Sequence, residues 1–179
     1  MPRIASRDPA SHLIRVIVET PAGSRNKYKY DEELGLFRTH KVLPLGASFP
    51  FDFGFVPGTR AEDGDPVDVI VIGGEPTFPG CLTTVRLLGV IEAEQKERGK
   101  KTVRNDRLLG ITVTDKIKPR ERTLADVPRA TLDQLEHFFI SYNEAEGREF
   151  VVLGRKGPEI AERRLAAGER AYMKREGFD

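Results

Sequence analysis

Residues 63–72, Asp-Gly-Asp-Pro-Val-Asp-Val-Ile-Val-Ile, join an acidic turn to an apolar run that predicts a buried strand. The turn carries the carboxylates of Asp63, Asp65 and Asp68 within six residues. Two like charges about 4 Å apart repel by roughly 4 kcal/mol at an effective dielectric near 20, so such a cluster shares a proton, is solvated or binds a cation. Oxygen ligands without a nearby Cys or His favour Mg²⁺, Mn²⁺ or Ca²⁺. The segment is therefore a candidate metal site at the mouth of a rigid strand.

An ordinary acidic turn also explains this segment, because Asp, Gly and Pro are frequent turn residues. The segment does not match the calcium-binding loop, which needs acids at alternating positions, a central Gly and a distant Glu. The choice between a turn and a site depends on the rest of the chain.

The composition indicates one globular domain over residues 1–179, large enough to bury its own core. We expect residues 1–11 to form an N-terminal extension and residues 158–179 a surface helix. The 29 basic and 28 acidic residues nearly balance, which gives no argument for a nucleic-acid or membrane partner. The chain lacks an apolar run of transmembrane length and an N-terminal signal-peptide pattern. The single cysteine, Cys81, excludes an internal disulfide and is typical of the cytoplasm.

The order of the predicted elements favours a small β-barrel flanked by helices, an α+β protein that is mainly β. The first two thirds predict short strands, the longest over residues 81–93, followed by an exposed charged loop over residues 94–101. The last third predicts two helices. Thr131 and Gln134 have the spacing of a capping box for the first of them.

Other polar residues fall near strand ends. Glu19 closes the first predicted strand, Lys27 follows a Pro-Ala-Gly-Ser turn, and Tyr142 lies on the last apolar turn of the first helix. Cations beside a carboxylate cluster suit a polyanionic ligand whose charge is shared between metal ions and ammonium groups.

These segments, in this order and near this spacing, resemble the family I soluble inorganic pyrophosphatases over roughly residues 13–145. The acidic segment at residues 63–69 is the family's signature. The other segments that carry the resemblance are residues 18–24, 27–28, 49–57, 79–80, 89–90 and 137–142.

The resemblance implies a five-stranded OB-type β-barrel with flanking C-terminal helices, a homo-oligomer with a hexamer favoured, and pyrophosphate as the small-molecule substrate. It also implies hydrolysis of pyrophosphate to two phosphates with Mg²⁺ as cofactor, Mn²⁺ being possible. Two metal ions would ionise the attacking water, and cations would neutralise the phosphates.

The resemblance also implies roles for single residues. Asp63 and Asp68 are metal ligands, with Asp68 bridging two ions, and Glu19 is an outer metal ligand. Asp65 helps to deprotonate the attacking water. The expected phosphate contacts are Lys27, Lys41, Arg107 and Tyr142, of which Lys27 and Tyr142 also count as catalytic.

Several positions depart from the family pattern, and together they weaken the expected binding of metal ions and of phosphate. By register, two further aspartate ligands fall at Gln95 and Asn105, and Glu94 or Asp106 could replace them if the register slips by one residue. Phosphate donors are weakened as well. These other departures are Lys29 for a glutamate, Lys41 for an arginine, Phe49, Phe53 and Phe55 for tyrosines, and Asn143 for a lysine. The sequence predicts a divergent member with fewer or weaker metal sites.

Three alternatives to pyrophosphate hydrolysis stay open. The chain could hydrolyse another diphosphate, or it could bind phosphate or pyrophosphate without turnover. An OB-type barrel also permits nucleic-acid binding, but no aromatic residues interleave with the basic run at residues 98–107.

Overall fold

A computed structural model describes residues 4–31, 33–175 and 177 of this chain. It contains nine strands, two α-helices and a short 3₁₀ turn at Leu124–Asp126 within these residues. The strands are β1 (Ile14–Thr20), β2 (Asn26–Asp31), β3 (Leu36–Val42), β4 (Asp52–Phe55), β5 (Asp68–Ile72), β6 (Leu82–Glu97), β7 (Val103–Arg104), β8 (Arg107–Thr112) and β9 (Arg148–Lys156), and the helices are α1 (Arg129–Glu144) and α2 (Pro158–Arg175).

Five strands close into a ring. Hydrogen-bonded neighbours run from β1 through β4, β5 and β8 to β6, and β6 pairs again with β1. All of these pairs are antiparallel except β5 with β8. The hairpin β2–β3 forms a separate two-stranded sheet, while β7 and β9 add to the long strand β6. The ring confirms the predicted α+β, mainly β, five-stranded OB-type architecture.

Strand β5 lies between two apolar clusters, which explains its uninterrupted apolar sequence. Ile70 and Ile72 pack into the cluster that includes α1, whereas Val69 and Val71 pack into the cluster that includes α2. Because successive side chains of a strand point to opposite faces, a strand covered on both faces needs apolar residues at every position. Both clusters therefore hold β5 rigidly, with Asp68 as its first residue.

Strand β6 is longer than the sequence predicts. The charged segment from Glu94 continues the strand to Glu97, so the prediction of a loop from residue 94 is wrong for this part. The whole of this stretch pairs with β9, in a register that places Glu97 opposite Arg148, whose side chains form an ion pair at 2.9 Å. Cross-strand charge pairs of this kind stabilise a charged strand.

Both helices pack on the barrel by one side. Helix α1 begins at Arg129 after Pro128 without a side-chain cap, so the predicted capping box at Thr131 is wrong. A capping box is found instead at the start of the 3₁₀ turn, where Thr123 is the N-cap. Helix α2 buries Ala161 and Leu165 against the cluster around β5 and β6. Among the described residues, we find no helix with the length and apolarity to cross a bilayer.

Candidate active site

The acidic segment forms a tight turn between β4 and β5. The backbone N–H of Asp65 donates to the Asp63 carboxylate at 3.1 Å, and Gly64 between them has φ +92°, a conformation that favours glycine. The Thr59 hydroxyl anchors the end of the turn by accepting from the Val67 N–H at 3.0 Å. The backbone therefore fixes the order of the three carboxylates at the edge of the ring.

The parallel pairing of β5 with β8 brings Asp68 to Arg107. The register joins Val69 to Leu108, so the residues before them, each the first of its strand, are neighbours. The Asp68 carboxylate lies 2.5 Å from Nη1 of Arg107, and the two side chains are 20% and 8% exposed. This is a partly buried, charge-assisted pair at the floor of the site.

A chain of hydrogen bonds extends from Arg107 to the two amides. Arg107 donates to the side-chain oxygen of Asn105, and the Asn105 amide donates to the Gln95 oxygen at 2.8 Å. The side-chain oxygens of Asn105 and Gln95 are thus both engaged. The two positions at which the register places the further ligands are therefore in direct contact.

The two acids that could have replaced these amides point elsewhere. Asp106 accepts from the Ala93 N–H at 3.0 Å and from Arg104 at 2.7 Å, and it lies 3.0 Å from Arg164 of α2. Glu94 directly precedes Gln95 in β6, and because successive side chains of a strand point to opposite faces, Glu94 lies on the face opposite Gln95. Neither acid therefore supplies a carboxylate beside Arg107.

Aromatic rings surround the Arg107 guanidinium. Its centre lies 5.6 to 5.8 Å from the ring centroids of Phe53, Phe139 and Phe150, within the range of cation–π attraction. Its Nε is buried and has no hydrogen-bond partner among the described residues. Phe53 was predicted as a lost tyrosine hydroxyl, and its ring in fact faces two cations, Arg107 and Lys27.

The hairpin β2–β3 supplies the other cations. Lys27 pairs with Lys41 across the hairpin, and their ammonium groups lie over the Tyr142 ring, at 5.4 and 5.3 Å from its centroid, within the range of cation–π attraction. Lys41 also forms an ion pair with Glu146. Burial lowers the pKa of Lys27, which the charge of Asp68 opposes and that of Arg107 reinforces.

Tyr142 contributes an unpaired hydroxyl. Its oxygen is buried and has no partner with hydrogen-bond geometry among the described residues. Burial raises the pKa of the phenol, and the nearby Lys41 ammonium opposes that shift. The next residue, Asn143, is turned away, because its amide donates to the Phe139 carbonyl inside α1 at 2.8 Å. A hydroxyl desolvated without a partner indicates a place for a ligand oxygen.

Glu19 reaches the site through a β-bulge. The pairing of β1 with β4 shifts between Val18 and Thr20, which re-aims the side chain between them. Glu19 is 8% exposed and accepts from the Tyr30 N–H at 3.0 Å. Burial raises the pKa of Glu19 to about 7; the Tyr30 hydrogen bond opposes this shift and the charge of Asp68 adds to it.

Asp65 and Asp63 occupy the mouth of the site. The Asp65 carboxylate accepts from the Lys29 ammonium at 2.9 Å, with the two side chains 57% and 41% exposed. Burial raises the pKa of Asp63, and the charge of Asp68 adds to that shift. The pair with Lys29 was not predicted, although Lys29 was noted as a departure from the family pattern.

The donor chemistry fits a metal ion at one end of the site only. Glu19, Asp63 and Asp68 offer carboxylate oxygens, the ligands that Mg²⁺ prefers, and their like charges favour a cation. At the other end, the amide oxygens of Gln95 and Asn105 are engaged in hydrogen bonds. Among the residues that the structure describes, no three His, Cys, Asp or Glu side chains gather closely enough to hold an ion together.

Cations, an unpaired hydroxyl and carboxylates at the edge of a five-stranded closed sheet define a site for a small polyanion. The chain matches the family model described as inorganic pyrophosphatase over residues 16–173. It is 37% identical to the inorganic pyrophosphatase of Synechocystis sp. over 148 residues, which span 83% of this chain and 85% of that protein. The corresponding enzyme of Methanosarcina acetivorans is 35% identical over 160 residues, 89% of this chain and 92% of the other.

Solved structures agree with the sequence matches. The crystal structure of inorganic pyrophosphatase from Thermus thermophilus superposes with a TM-score of 0.84 at 31% identity, covering 94% of this chain and 96% of that one. The Helicobacter pylori enzyme superposes with a TM-score of 0.85 at 29% identity, covering 97% and 99%. The chain belongs to the inorganic pyrophosphatase family, whose family I members depend on metal ions.

Proposed function

We propose that this chain hydrolyses inorganic pyrophosphate to two phosphates. The observation that carries the proposal is the convergence of buried, unsatisfied donors beside carboxylates. The hydroxyl of Tyr142 and Nε of Arg107 lack partners among the described residues. The Lys27 ammonium lies between these groups, at 5.4 Å from the ring centroids of both Phe53 and Tyr142. A diphosphate carries the oxygens that such donors need.

The residues have the chemistry for an attack by water on phosphorus. Asp65, at the exposed mouth, would take the proton of the attacking water as a general base. The water oxygen would form a bond to one phosphorus as the bond from that phosphorus to the bridging oxygen breaks; both products would leave as phosphates, and the proton on Asp65 would pass to solvent. Lys27, Lys41 and Arg107 would neutralise the phosphoryl oxygens, and Tyr142 would donate to one of them, so that positioning and charge supply most of the catalysis.

We further propose Mg²⁺ as the cofactor, with Mn²⁺ as a substitute. Asp63 and Asp68, with Glu19 as an outer ligand, would hold it at the carboxylate end. When bound there, the ion would supply Lewis acidity to the water and charge to the substrate.

Phosphate release from pyrophosphate tests the proposed hydrolysis. We expect release with Mg²⁺ and none with EDTA. The Asp65→Asn variant should lose roughly 10² to 10⁴ in rate, the range for a general base, while Asp115→Asn, on an exposed loop, should match the wild type. Equal turnover in Asp65→Asn and Asp115→Asn would reject Asp65 as the base.

One observation favours a second function, binding of pyrophosphate without turnover. The candidate base, Asp65, is ion-paired with Lys29, which lowers its availability to a water molecule. Binding measured by calorimetry, in a sample that releases no phosphate from pyrophosphate or another diphosphate, would support this second function.

We also propose a cytoplasmic homo-oligomer, with a hexamer favoured. The single cysteine is typical of the cytoplasm. Exposed apolar side chains would supply contacts between copies in such an assembly. They include Leu34, Leu36, Leu45, Phe78 and Leu82. Light scattering on the purified chain would give the number of copies.

A further inference from the structure

An ion pair on β6 and β9 lies one step beyond the amides of the site, on the same side of the sheet. The antiparallel pairing places Phe150 opposite Gln95 and Arg148 opposite Glu97. Because side chains of a strand alternate between its two faces, Arg148 lies on the same face of β9 as Phe150, whose ring centroid is 5.8 Å from the Arg107 guanidinium. Arg148 therefore extends the polar row of the site toward its rim.

The chain also brings Arg148 near the Tyr142 hydroxyl. Tyr142 lies on the last turn of α1, and Arg148 begins β9 after the turn at residues 145–147. Burial raises the pKa of the Tyr142 phenol, whereas the charges of Lys41 and Arg148 oppose that rise. The hydroxyl oxygen is buried without a hydrogen-bond partner among the described residues. A ligand oxygen that accepts from this hydroxyl would therefore lie within the field of two cations.

Helix α1 does not itself supply a cation beside this hydroxyl. The family resemblance expects a lysine directly after Tyr142, and this chain has Asn143, which is buried and donates to the Phe139 carbonyl at 2.8 Å. Lys41, on the opposite side of the Tyr142 ring system, is already paired with Glu146. The neighbouring strand, through Arg148, offers the charge that the helix lacks.

The pair of Arg148 with Glu97 can open at low cost. Nη2 of Arg148 lies 2.9 Å from the Glu97 carboxylate, with the two side chains 34% and 29% exposed, so water weakens the attraction. Glu97 also forms an ion pair with Lys100, and its charge therefore stays balanced when Arg148 turns away. A guanidinium has five N–H donors in a planar fork, which suits the oxygens of a phosphoryl group.

We propose that Arg148 is a further substrate contact, whose guanidinium exchanges Glu97 for the phosphoryl group beside Tyr142. Glu97 is then the resting counter-ion of Arg148, and it competes with the ligand. The inference rests on the proposed function for the identity of that ligand as a diphosphate. It concerns binding, which can be measured without turnover.

The first test is calorimetry with imidodiphosphate, in which nitrogen replaces the bridging oxygen of pyrophosphate, on the full chain with Mg²⁺. In Arg148→Gln we expect the affinity to fall about tenfold, the effect of one charged hydrogen bond. Arg148→Lys should retain part of the affinity, because it keeps the charge and loses the fork. The matched control is Lys96→Gln, since Lys96 is an exposed cation on β6 that pairs with Glu149 on the opposite face. Equal affinities in Arg148→Gln and Lys96→Gln would overturn the proposal.

The second test predicts a change of opposite sign and does not depend on the Arg148 variants. Glu97→Gln frees Arg148, so we expect the affinity for imidodiphosphate to rise about twofold to fivefold. Glu149→Gln, which removes an exposed acid from the opposite face of β9, should match the wild type. An unchanged or lower affinity in Glu97→Gln would contradict the role of Glu97 as a competing counter-ion.

A double variant separates the ion pair from a general effect of charge. In Arg148→Gln/Glu97→Gln the gain from Glu97→Gln should vanish, because the guanidinium that it frees is absent. A gain that persists in the double variant would mean that Glu97 acts by its own repulsion, and would overturn the exchange. Wild-type protein that does not bind imidodiphosphate would reject the proposed function together with this contact, whereas wild-type binding that Arg148→Gln preserves would reject the contact alone.

Discussion

Two ion pairs hold two aspartates of the same acidic segment at different depths. Asp68 meets Arg107 at 2.5 Å, with side chains 20% and 8% exposed, whereas Asp65 meets Lys29 at 2.9 Å, with side chains 57% and 41% exposed. The two aspartates are only three positions apart in the sequence. The inner pair is enclosed by phenylalanine rings and the outer pair faces water.

The difference shows that depth decides how much each ion pair contributes to the stability of the fold. An exposed pair is worth little, because water and salt screen it. A buried pair is difficult to break, because either charge left alone is poorly solvated. We therefore expect the pair of Asp68 with Arg107 to stabilise the fold, and the pair of Asp65 with Lys29 at the mouth of the site to contribute little stability.

The largest effect is expected where the inner pair is broken. Asp68→Asn leaves the Arg107 guanidinium among aromatic rings without its carboxylate, and we expect the free energy of unfolding to fall by about 3 kcal/mol. Denaturant unfolding of Asp68→Asn and of the exposed control Asp115→Asn measures this. A loss under about 1 kcal/mol would place the inner pair in the same class as the outer one.

The sequence predicts the buried strand β5 because that strand depends on local pattern. The apolar run after Asp68 predicts a strand buried on both faces, and β5 is such a strand. Counting from Gly89 places one expected ligand position at Gln95, and counting back from Arg107 places the other at Asn105; the structure adds that the two side chains are in hydrogen-bond contact. Strand periodicity and short spacing carry this information along the chain.

The ion pairs could not be predicted at either depth, because they join distant parts of the chain, the inner pair of Asp68 with Arg107 included. Lys29 and Asp65 are 36 residues apart, and Lys41 and Glu146 are 105 apart, so both pairs exist only once the ring is closed and α1 is docked. The extension of β6 to Glu97 has the same origin, since charged residues there look like a loop until β9 pairs with them.

A smaller effect should separate binding from stability at Tyr142, whose ring lies against Lys27 and Lys41. Tyr142→Phe removes a buried hydroxyl that has no partner among the described residues. We expect the free energy of unfolding to stay the same or rise by up to about 1 kcal/mol. The affinity for imidodiphosphate, the N-bridged analogue of pyrophosphate, should fall about threefold to tenfold. Calorimetry and denaturant unfolding give the two quantities, with Tyr172→Phe on α2 as the control.

A fall in the stability of Tyr142→Phe, with affinity unchanged, would mean that the hydroxyl serves the fold. Tyr142 would then stabilise the fold as the inner pair does, and the ligand oxygen proposed beside it would have to be met by the nearby cations alone.

The smallest effect is expected at the outer pair. Lys29→Gln should change the unfolding free energy by no more than about 0.5 kcal/mol, the usual worth of an exposed pair. Because Asp65 is then released from the ammonium, phosphate release at saturating pyrophosphate should rise, by at most about fivefold, the equivalent of 1 kcal/mol. The exposed Lys116→Gln serves as the control for lost charge. A loss of stability above 1 kcal/mol in Lys29→Gln would make the outer pair structural as well, and depth would then no longer distinguish the two aspartates.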